Sequence, residues 1–436
     1  MENLAVTLQS VSRPLPVSFD KWTGRRQVVT LGTNAGAEKL PFQTWHHFKE
    51  AFAPELVARA VKESRREIRT CLDPFGGSGT TALACQFLGI RPSTVEVNPY
   101  LADLIEAKLT SYDGDALARS LGRIIKSAQD VKSNIRRFDG LPPTFIQSSR
   151  SERWIFNKTV AGRLGAYLDA IDNLRDVAHR RFFRALLGGM LVTVSNIIIN
   201  GKGRRYRRRW DERAISTAYI DRIFRERAHK AVIEVHSYRH RRECDYDLYR
   251  GDCRTVLKDI PGVDLAVFSP PYPNSFDYTD VYNIELWMLG YLSDSGENRD
   301  LRQSTLCSHV QIKREYPEAP SESQLLTKTL RRLTKSREEL WSPWIPQMVG
   351  AYFHDMKTVM HDLYPSLAER AEMWMVVGDS RYAGVHISTA DLLAELAPEL
   401  GYDVIKLEPF RSMRSSAQQG GKAELDETLI VLRKVA

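Results

Sequence analysis

The residues of this chain best equipped for chemistry are Ser269-Pro270-Pro271-Tyr272, which follow the apolar run Val263 to Phe268. A short apolar run of this kind reads as a buried strand, so the four residues fall where that strand stops. Consecutive prolines end the strand and stiffen the turn, because neither carries an N–H and both fix φ. What remains is a rigid corner with unpaired carbonyls, a hydroxyl in front and an aromatic ring behind. Such a corner can hold a flat, amine-bearing group against the ring while its oxygens accept from the N–H bonds. Taken alone, it is also what an ordinary loop looks like.

A second constellation precedes it: Cys71-Leu72-Asp73-Pro74-Phe75-Gly76-Gly77-Ser78-Gly79-Thr80-Thr81. Ile68 to Leu72 reads as a strand and Thr80 to Leu88 as the helix after it, which puts the glycines at a strand–turn–helix junction. Glycine suits a backbone that turns sharply and approaches a ligand closely. The helix N-terminus offers unpaired N–H groups to a negatively charged ligand group. Gly77-x-Gly79-x-x-Ala82 also fits a dinucleotide fingerprint, so this stretch alone leaves the ligand open. No lysine follows in the manner of a phosphate-cradling loop, which argues against an NTPase. The next strand, Ser93 to Val97, ends at Glu96, an acid placed to accept from both ribose hydroxyls of a nucleoside.

Together, Asp73 to Thr80 and Ser269 to Tyr272 resemble the S-adenosylmethionine-dependent DNA amino-methyltransferases, which methylate N4 of cytosine or N6 of adenine. Phe48 to Leu56 is similar to the segment preceding the cofactor loop in that family, and Tyr249-Arg250-Gly251-Asp252 to the acid after the third strand. Met373 to Asp379 resembles the fifth strand, and Val404 to Phe410 with Thr428 to Leu432 the closing hairpin. The resemblance covers 46–110, 245–290 and 345–434, about half of the chain. It implies an α/β fold, a Rossmann-like seven-stranded class I methyltransferase sheet with a largely helical insertion.

S-adenosylmethionine is the cofactor so implied, bound by Phe52, Pro54, Asp73, Pro74, Phe75, Gly76, Gly77, Ser78, Gly79, Thr80, Glu96 and Asp252. In this reading Asp73 and the glycine loop take the methionine end, Glu96 the ribose and Asp252 the adenine. Catalysis falls to Ser269, Pro270, Pro271 and Tyr272. The Ser269 hydroxyl oxygen and the Pro270 carbonyl accept from the target amine, and Tyr272 stacks on a base flipped out of double-stranded DNA. No metal is required. In the family, serine at the head of the tetrapeptide is commoner in N4-cytosine enzymes, so Ser269 favours a site-specific cytosine-N4 DNA methyltransferase, as found in restriction–modification or phage defence. An adenine-N6 enzyme with the same site is the alternative, and an RNA base methyltransferase a more distant one. A nucleic-acid-binding protein with an inactive core would have lost the glycines or the tetrapeptide, and both are intact. A dehydrogenase would leave Ser269 to Tyr272 without a role.

Charge agrees with a nucleic-acid partner. The 436 residues carry a net charge of +8, and Gly201 to Arg250 holds 15 Lys and Arg against 8 Asp and Glu. Lys202, Arg204, Arg205, Arg207, Arg208 and Arg209 are six basic residues in eight, and a one-sided run attracts polyanions. These residues are the candidate DNA contacts, with a salt-sensitive affinity expected. No apolar run reaches bilayer length and no export signal opens the chain, so a cytoplasmic protein without membrane association is expected. Cys71, Cys85, Cys244, Cys253 and Cys307 show no paired spacing that would indicate a zinc site or a disulfide framework.

Several elements must position these groups. Residues 1–45 read as an extended arm, and 46–110 with 245–436 as the catalytic core. Residues 111–244 read as a helical, basic insertion and candidate target-recognition region, and 293–344 as a second insertion within the core. Helices are expected over Trp45 to Glu63, Pro99 to Leu109, Asp115 to Val131, Trp154 to Leu174, Ala178 to Ile199 and Thr279 to Leu289, with a basic helical piece at Lys328 to Arg337. Phe276 and Tyr278 suit the base pocket or the core equally. His309, His354 and His386, distant from one another in the chain, are expected to be structural. A partner restriction or defence protein would fit such an enzyme; the oligomeric state is not legible.

Overall fold

The computed structural model describes residues 16–131, 133–149, 151–200, 203–414 and 424–435. Its strands are β1 (Thr70–Asp73), β2 (Arg91–Glu96), β3 (Ile197–Asn200), β4 (Gly203–Tyr206), β5 (Asp247–Arg250), β6 (Val263–Phe268), β7 (Leu367–Gly378), β8 (Ser380–Tyr382), β9 (Val385–Ile387), β10 (Tyr402–Arg414) and β11 (Glu424–Lys434). Seven of them form one sheet in the order β10-β11-β7-β6-β1-β2-β5, and β3–β4 and β8–β9 are separate hairpins. β5, β2, β1, β6 and β7 run parallel, while β11 is antiparallel to β7 and to β10. This is the Rossmann-like class I methyltransferase sheet with its closing hairpin.

Helices cover both faces, so the central strands are apolar throughout rather than alternating. Along β6, Leu265 and Val267 face one core, which also holds Cys71, Trp374 and Val376. Ala266 and Phe268 face the other, with Leu72, Met373 and Met375. The helices of the 111–244 insertion pack into the first core, whereas within 293–344 helix Gln324–Lys335 packs into the second and Leu301 of helix Ser295–Gln303 lies against the first.

Four expectations are corrected. Residues 16–45 are not an extended arm: Phe19, Trp22, Leu40, Phe42 and Trp45 are buried, and Trp22 stacks on Phe87 at 4.7 Å. Their aromatic anchors are scattered without periodicity, which hides the packing in the sequence. The helix expected from Trp45 begins only at Glu55 and runs Glu55–Glu63, because Pro54 and the restriction it places on Ala53 keep the preceding residues out of helix. The helix expected over Ala178 to Ile199 is Val177–Gly188, and its β-branched continuation turns into β3. A Cβ on Gly189 would stand 1.9 Å from the Trp45 carbonyl oxygen, so the chain passes there only as glycine. The stretch Thr279 to Leu289 is likewise two short helices, Tyr278–Val281 and Asn283–Met288, broken at Tyr282.

Candidate active site

The winding of the sheet reverses between β1 and β6, since β1 leads outward to β2 and β5 while β6 leads the other way to β7. Ligands of such sheets sit at the carboxyl ends of the strands flanking the reversal. A cavity of about 510 Å³ opens there, and its wall includes the segment Phe48 to Phe52, Asp73 to Ser78, Thr80, Glu96, Asp252 and Ser269 to Tyr272. Residues separated by more than 200 positions thus meet in one space.

The glycine loop is held by the acid at the end of β2. Glu96 Oε2 accepts from the Gly77 N–H at 2.6 Å and Oε1 from the Asn98 N–H at 2.8 Å. Gly77 and Gly79 have φ of +53° and +79°, conformations in which a side chain is strained. Burial pushes the Glu96 carboxyl up to about 7, against the pull of those two N–H groups. Burial likewise pushes Asp73 up to about 7, although its Oδ1 accepts from the Phe75 N–H at 2.9 Å. Each acid therefore keeps acceptor capacity in a low-dielectric wall that favours charge only when more donors arrive. Ribose hydroxyls and an ammonium are donors of that kind, so the residues present fit S-adenosylmethionine. Pro54 and Gly79 stand back from the wall, Pro54 preceding the helix Glu55–Glu63 and Gly79 starting Thr80–Leu88.

At the end of β6 the tetrapeptide faces the same space. Ser269 Oγ lies 2.9 Å from the Val376 carbonyl oxygen and 3.2 Å from Tyr272 Oη, which in turn lies 3.1 Å from Glu427 Oε1. A serine hydroxyl has one proton and two lone pairs. Donation to Val376 spends the proton on the protein and leaves oxygen lone pairs for an incoming N–H. Tyr272 lines the cavity with its hydroxyl engaged, and burial, helped by Glu427, raises that hydroxyl well above the ordinary tyrosine value.

Asp252 also reaches the wall, but Arg254 already grips its carboxylate through Nε at 3.0 Å and Nη2 at 2.6 Å, and Arg254 Nη1 meets Asp355 at 2.9 Å. Several lining residues carry no signal in the sequence. Glu427 lies on β11, more than 150 residues from Tyr272. Glu50 accepts from Tyr282 Oη at 2.9 Å, and burial raises its carboxyl. Phe48 stacks on Tyr282 with ring centroids 5.5 Å apart. Phe276 and Tyr278 both line the cavity, as does His309, which is buried beside Asp277 rather than remote from the site. Lys108 lies beneath the glycine loop, its ammonium donating to the Ser78 carbonyl at 2.6 Å, with burial lowering it to about 7.

The arginine run is divided by the fold. It falls on β4 and the turn after it, outside the cavity wall. Arg204 pairs with Asp280 at 2.8 Å, and Arg207 donates to the carbonyls of Ser195 and Val192. Arg205, Arg208 and Arg209 are exposed. Lys202 lies outside the described residues. Among the described residues no helix is long and apolar enough to cross a membrane.

Comparison with known proteins agrees with this geometry. The family model described as DNA methylase, of N6/N4 type, matches residues 20–107, which contain β1, the glycine loop and β2. Type II methyltransferase M.AvaI of Nostoc sp. strain PCC 7120 is 27% identical across 94% of this chain and 89% of its own length. Type II methyltransferase M.BsoBI of Geobacillus stearothermophilus is 24% identical across 92% and 86%. Type II methyltransferase M.MjaII of Methanocaldococcus jannaschii is 30% identical over 90 residues, 21% of this chain and 17% of its own. The chain is thus similar to DNA methylases of the N6/N4 type over the glycine loop and the strands beside it, and to type II methyltransferases along more than nine-tenths of its length.

Proposed function

We propose that this protein is a site-specific DNA methyltransferase acting on the exocyclic N4 amine of cytosine, the modifying half of a type II restriction–modification system. The observation that carries the cytosine reading is Ser269 at the head of the tetrapeptide, with a backbone carbonyl 2.9 Å away to take its proton.

The amine of cytosine is a poor nucleophile because its lone pair is delocalised into the ring. Ser269 Oγ and the Pro270 carbonyl accept from the two N–H bonds, which favours the pyramidal nitrogen. Acceptors fixed in advance act where positive charge develops, without reorganising. S-adenosylmethionine supplies an electrophilic methyl group on a sulfonium. Asp73, the glycine loop, Glu96 and Asp252 hold and orient it. The nitrogen–carbon bond forms as the carbon–sulfur bond breaks, the electron pair stays on sulfur, and one amine proton leaves to solvent. Orientation of the two reactants is the main source of acceleration. Tyr272 presents its ring to the flipped base, and the exposed members of the arginine run bind the duplex. Adenine-N6 methylation by the same site is the second reading, since both amines present two N–H bonds to the corner.

The test is expression in a methylation-free host followed by nucleoside mass analysis and base-resolved sequencing of the host DNA. N4-methylcytosine at a defined motif is the expected result. N6-methyladenine would overturn the cytosine reading, and unmodified DNA the assignment of activity.

A further inference from the structure

The second insertion carries a basic face of its own. Helix Gln324–Lys335 buries Leu326, Thr329 and Leu333 along one side. Its other side presents Lys328, Arg331, Arg332 and Lys335, all exposed. None of these four has a carboxylate partner among the described residues. The neighbouring acids are engaged elsewhere: Glu322 pairs with Lys357, and Glu395 accepts from the Ser323 hydroxyl and the Leu325 N–H. Glu338 and Glu339 follow in the next turn, so the cations predominate without being isolated from acids. By contrast, the arginine run of the first insertion has Arg204 and Arg207 tied down inside the fold.

Beyond this face the chain exposes two large rings. Trp341 is 45% and Trp344 54% exposed, while the other six tryptophans are buried or half-buried. The Trp344 ring stacks against Tyr316 with centroids 6.3 Å apart, which holds it outward. Aromatic faces interleaved with unpaired cations suit the sugar–phosphate backbone and base faces of nucleic acid.

The placement follows from topology. Helix Ile345–Leu363 leads directly into the start of β7, so its N-terminus lies at the carboxyl edge of the sheet, the edge where the cavity opens. Asp355 marks that edge through its ion pair with Arg254, which grips Asp252. Ile345 lies ten residues earlier, about 15 Å further out along the helix. Trp341 and Trp344 therefore stand beyond the cavity mouth, on the face of the sheet opposite to the first insertion.

We propose that the basic face of helix Gln324–Lys335 and the Trp341–Trp344 tip form a second wall of the DNA-binding cleft. The wall contacts the backbone of the same substrate duplex from the side opposite to Arg205, Arg208 and Arg209. This rests on the reading of the protein as a DNA methyltransferase. The duplex is gripped from both faces of the sheet, and a base flipped from it enters the cavity between them.

The test is the full-length variant Lys328→Ala/Arg331→Ala/Arg332→Ala/Lys335→Ala, together with Trp341→Ala/Trp344→Ala. Duplex affinity is measured across a salt series, with S-adenosylmethionine affinity and far-UV circular dichroism as controls of the fold. The expected result for the quadruple variant is a salt slope of log K reduced by about three to four, at about 0.9 per phosphate contact. The tryptophan pair is expected to weaken duplex binding about tenfold or more, in the range of lost ring stacking. Cofactor affinity stays at the wild-type value in both. Wild-type duplex affinity and salt slope in both variants would overturn the second wall, including the case in which the surface serves a protein partner. Methylation by the wild-type chain is scored separately: its absence overturns the function proposed above, whereas unchanged DNA binding in an active enzyme overturns the wall alone.

Discussion

Replacement of Glu96 by glutamine tests the cofactor end of the site most sharply. The two carboxylate oxygens accept from the N–H groups of Gly77 at 2.6 Å and Asn98 at 2.8 Å. An amide offers one acceptor oxygen, so one backbone N–H must then face an NH₂ group, and one ligand hydroxyl loses its charged acceptor. A hydrogen bond to a charged group contributes about 1.5–3 kcal/mol. Losing one or two of these weakens S-adenosylmethionine binding by roughly 10- to 10,000-fold at about 1.4 kcal/mol per decade. The pH profile supplies an independent readout. With the free carboxyl pushed up to about 7, Glu96 is protonated below that pH and must ionise to accept from the ribose. Binding then releases a proton, so wild-type affinity falls as pH drops below about 7, by up to tenfold per pH unit for this group. Asp73, also at about 7, adds to the same slope. Glu96→Gln removes one proton from the linkage and leaves the share of Asp73. Titration calorimetry between pH 5.5 and 8.5, in buffers of different ionisation enthalpy, measures affinity and proton release together. Affinity within threefold of wild type, or an unchanged proton count, would refute the assignment of Glu96 to the ribose.

Ser269→Ala removes one acceptor of the amine while sparing the cofactor wall; methyl transfer under single-turnover conditions is expected to fall by about 10²- to 10³-fold, with S-adenosylmethionine affinity unchanged. A rate within threefold of wild type would remove Ser269 from the chemistry. Glu427→Ala frees the Tyr272 hydroxyl and is expected to slow transfer about tenfold, with Glu427→Gln, which keeps an acceptor, restoring most of it. Equal rates for both variants would show that the hydroxyl contact does not position the ring. Arg205→Ala/Arg208→Ala/Arg209→Ala is expected to reduce the salt slope of duplex binding by about three without lowering the melting temperature, because these side chains are exposed. An unchanged slope would exclude this part of the run from the DNA contact.

The portions of the site that are legible in the sequence share a physical property: each is a local device. A strand stopped by Pro270 and Pro271, a turn requiring positive φ at Gly77 and Gly79, and an acid at the end of β2 are set by neighbours a few residues away. Local patterning also yields the helix Thr80–Leu88 and the strand Val263–Phe268 with the observed bounds. Where the sequence reading errs, a distant contact overrides local preference. Trp22 and Trp45 are ordinary surface or arm residues until Phe87 and Glu234 are brought beside them. The run after Ala178 looks helical until Gly189 must pass the Trp45 carbonyl and the chain turns into β3.

Residue types and spacing alone thus marked the strand ends, the glycine turn and the proline corner, because backbone sterics and strand periodicity act over short distances, whereas the seven-stranded sheet was implied by the family resemblance. Only the tertiary structure decided how the charges are shared. It couples Ser269 through Tyr272 to Glu427, ties Arg204 to Asp280 and leaves the cations of helix Gln324–Lys335 without carboxylate partners among the described residues. Whether a charged side chain meets a partner or faces solvent depends on which remote segment the fold lays against it, and no local pattern encodes that.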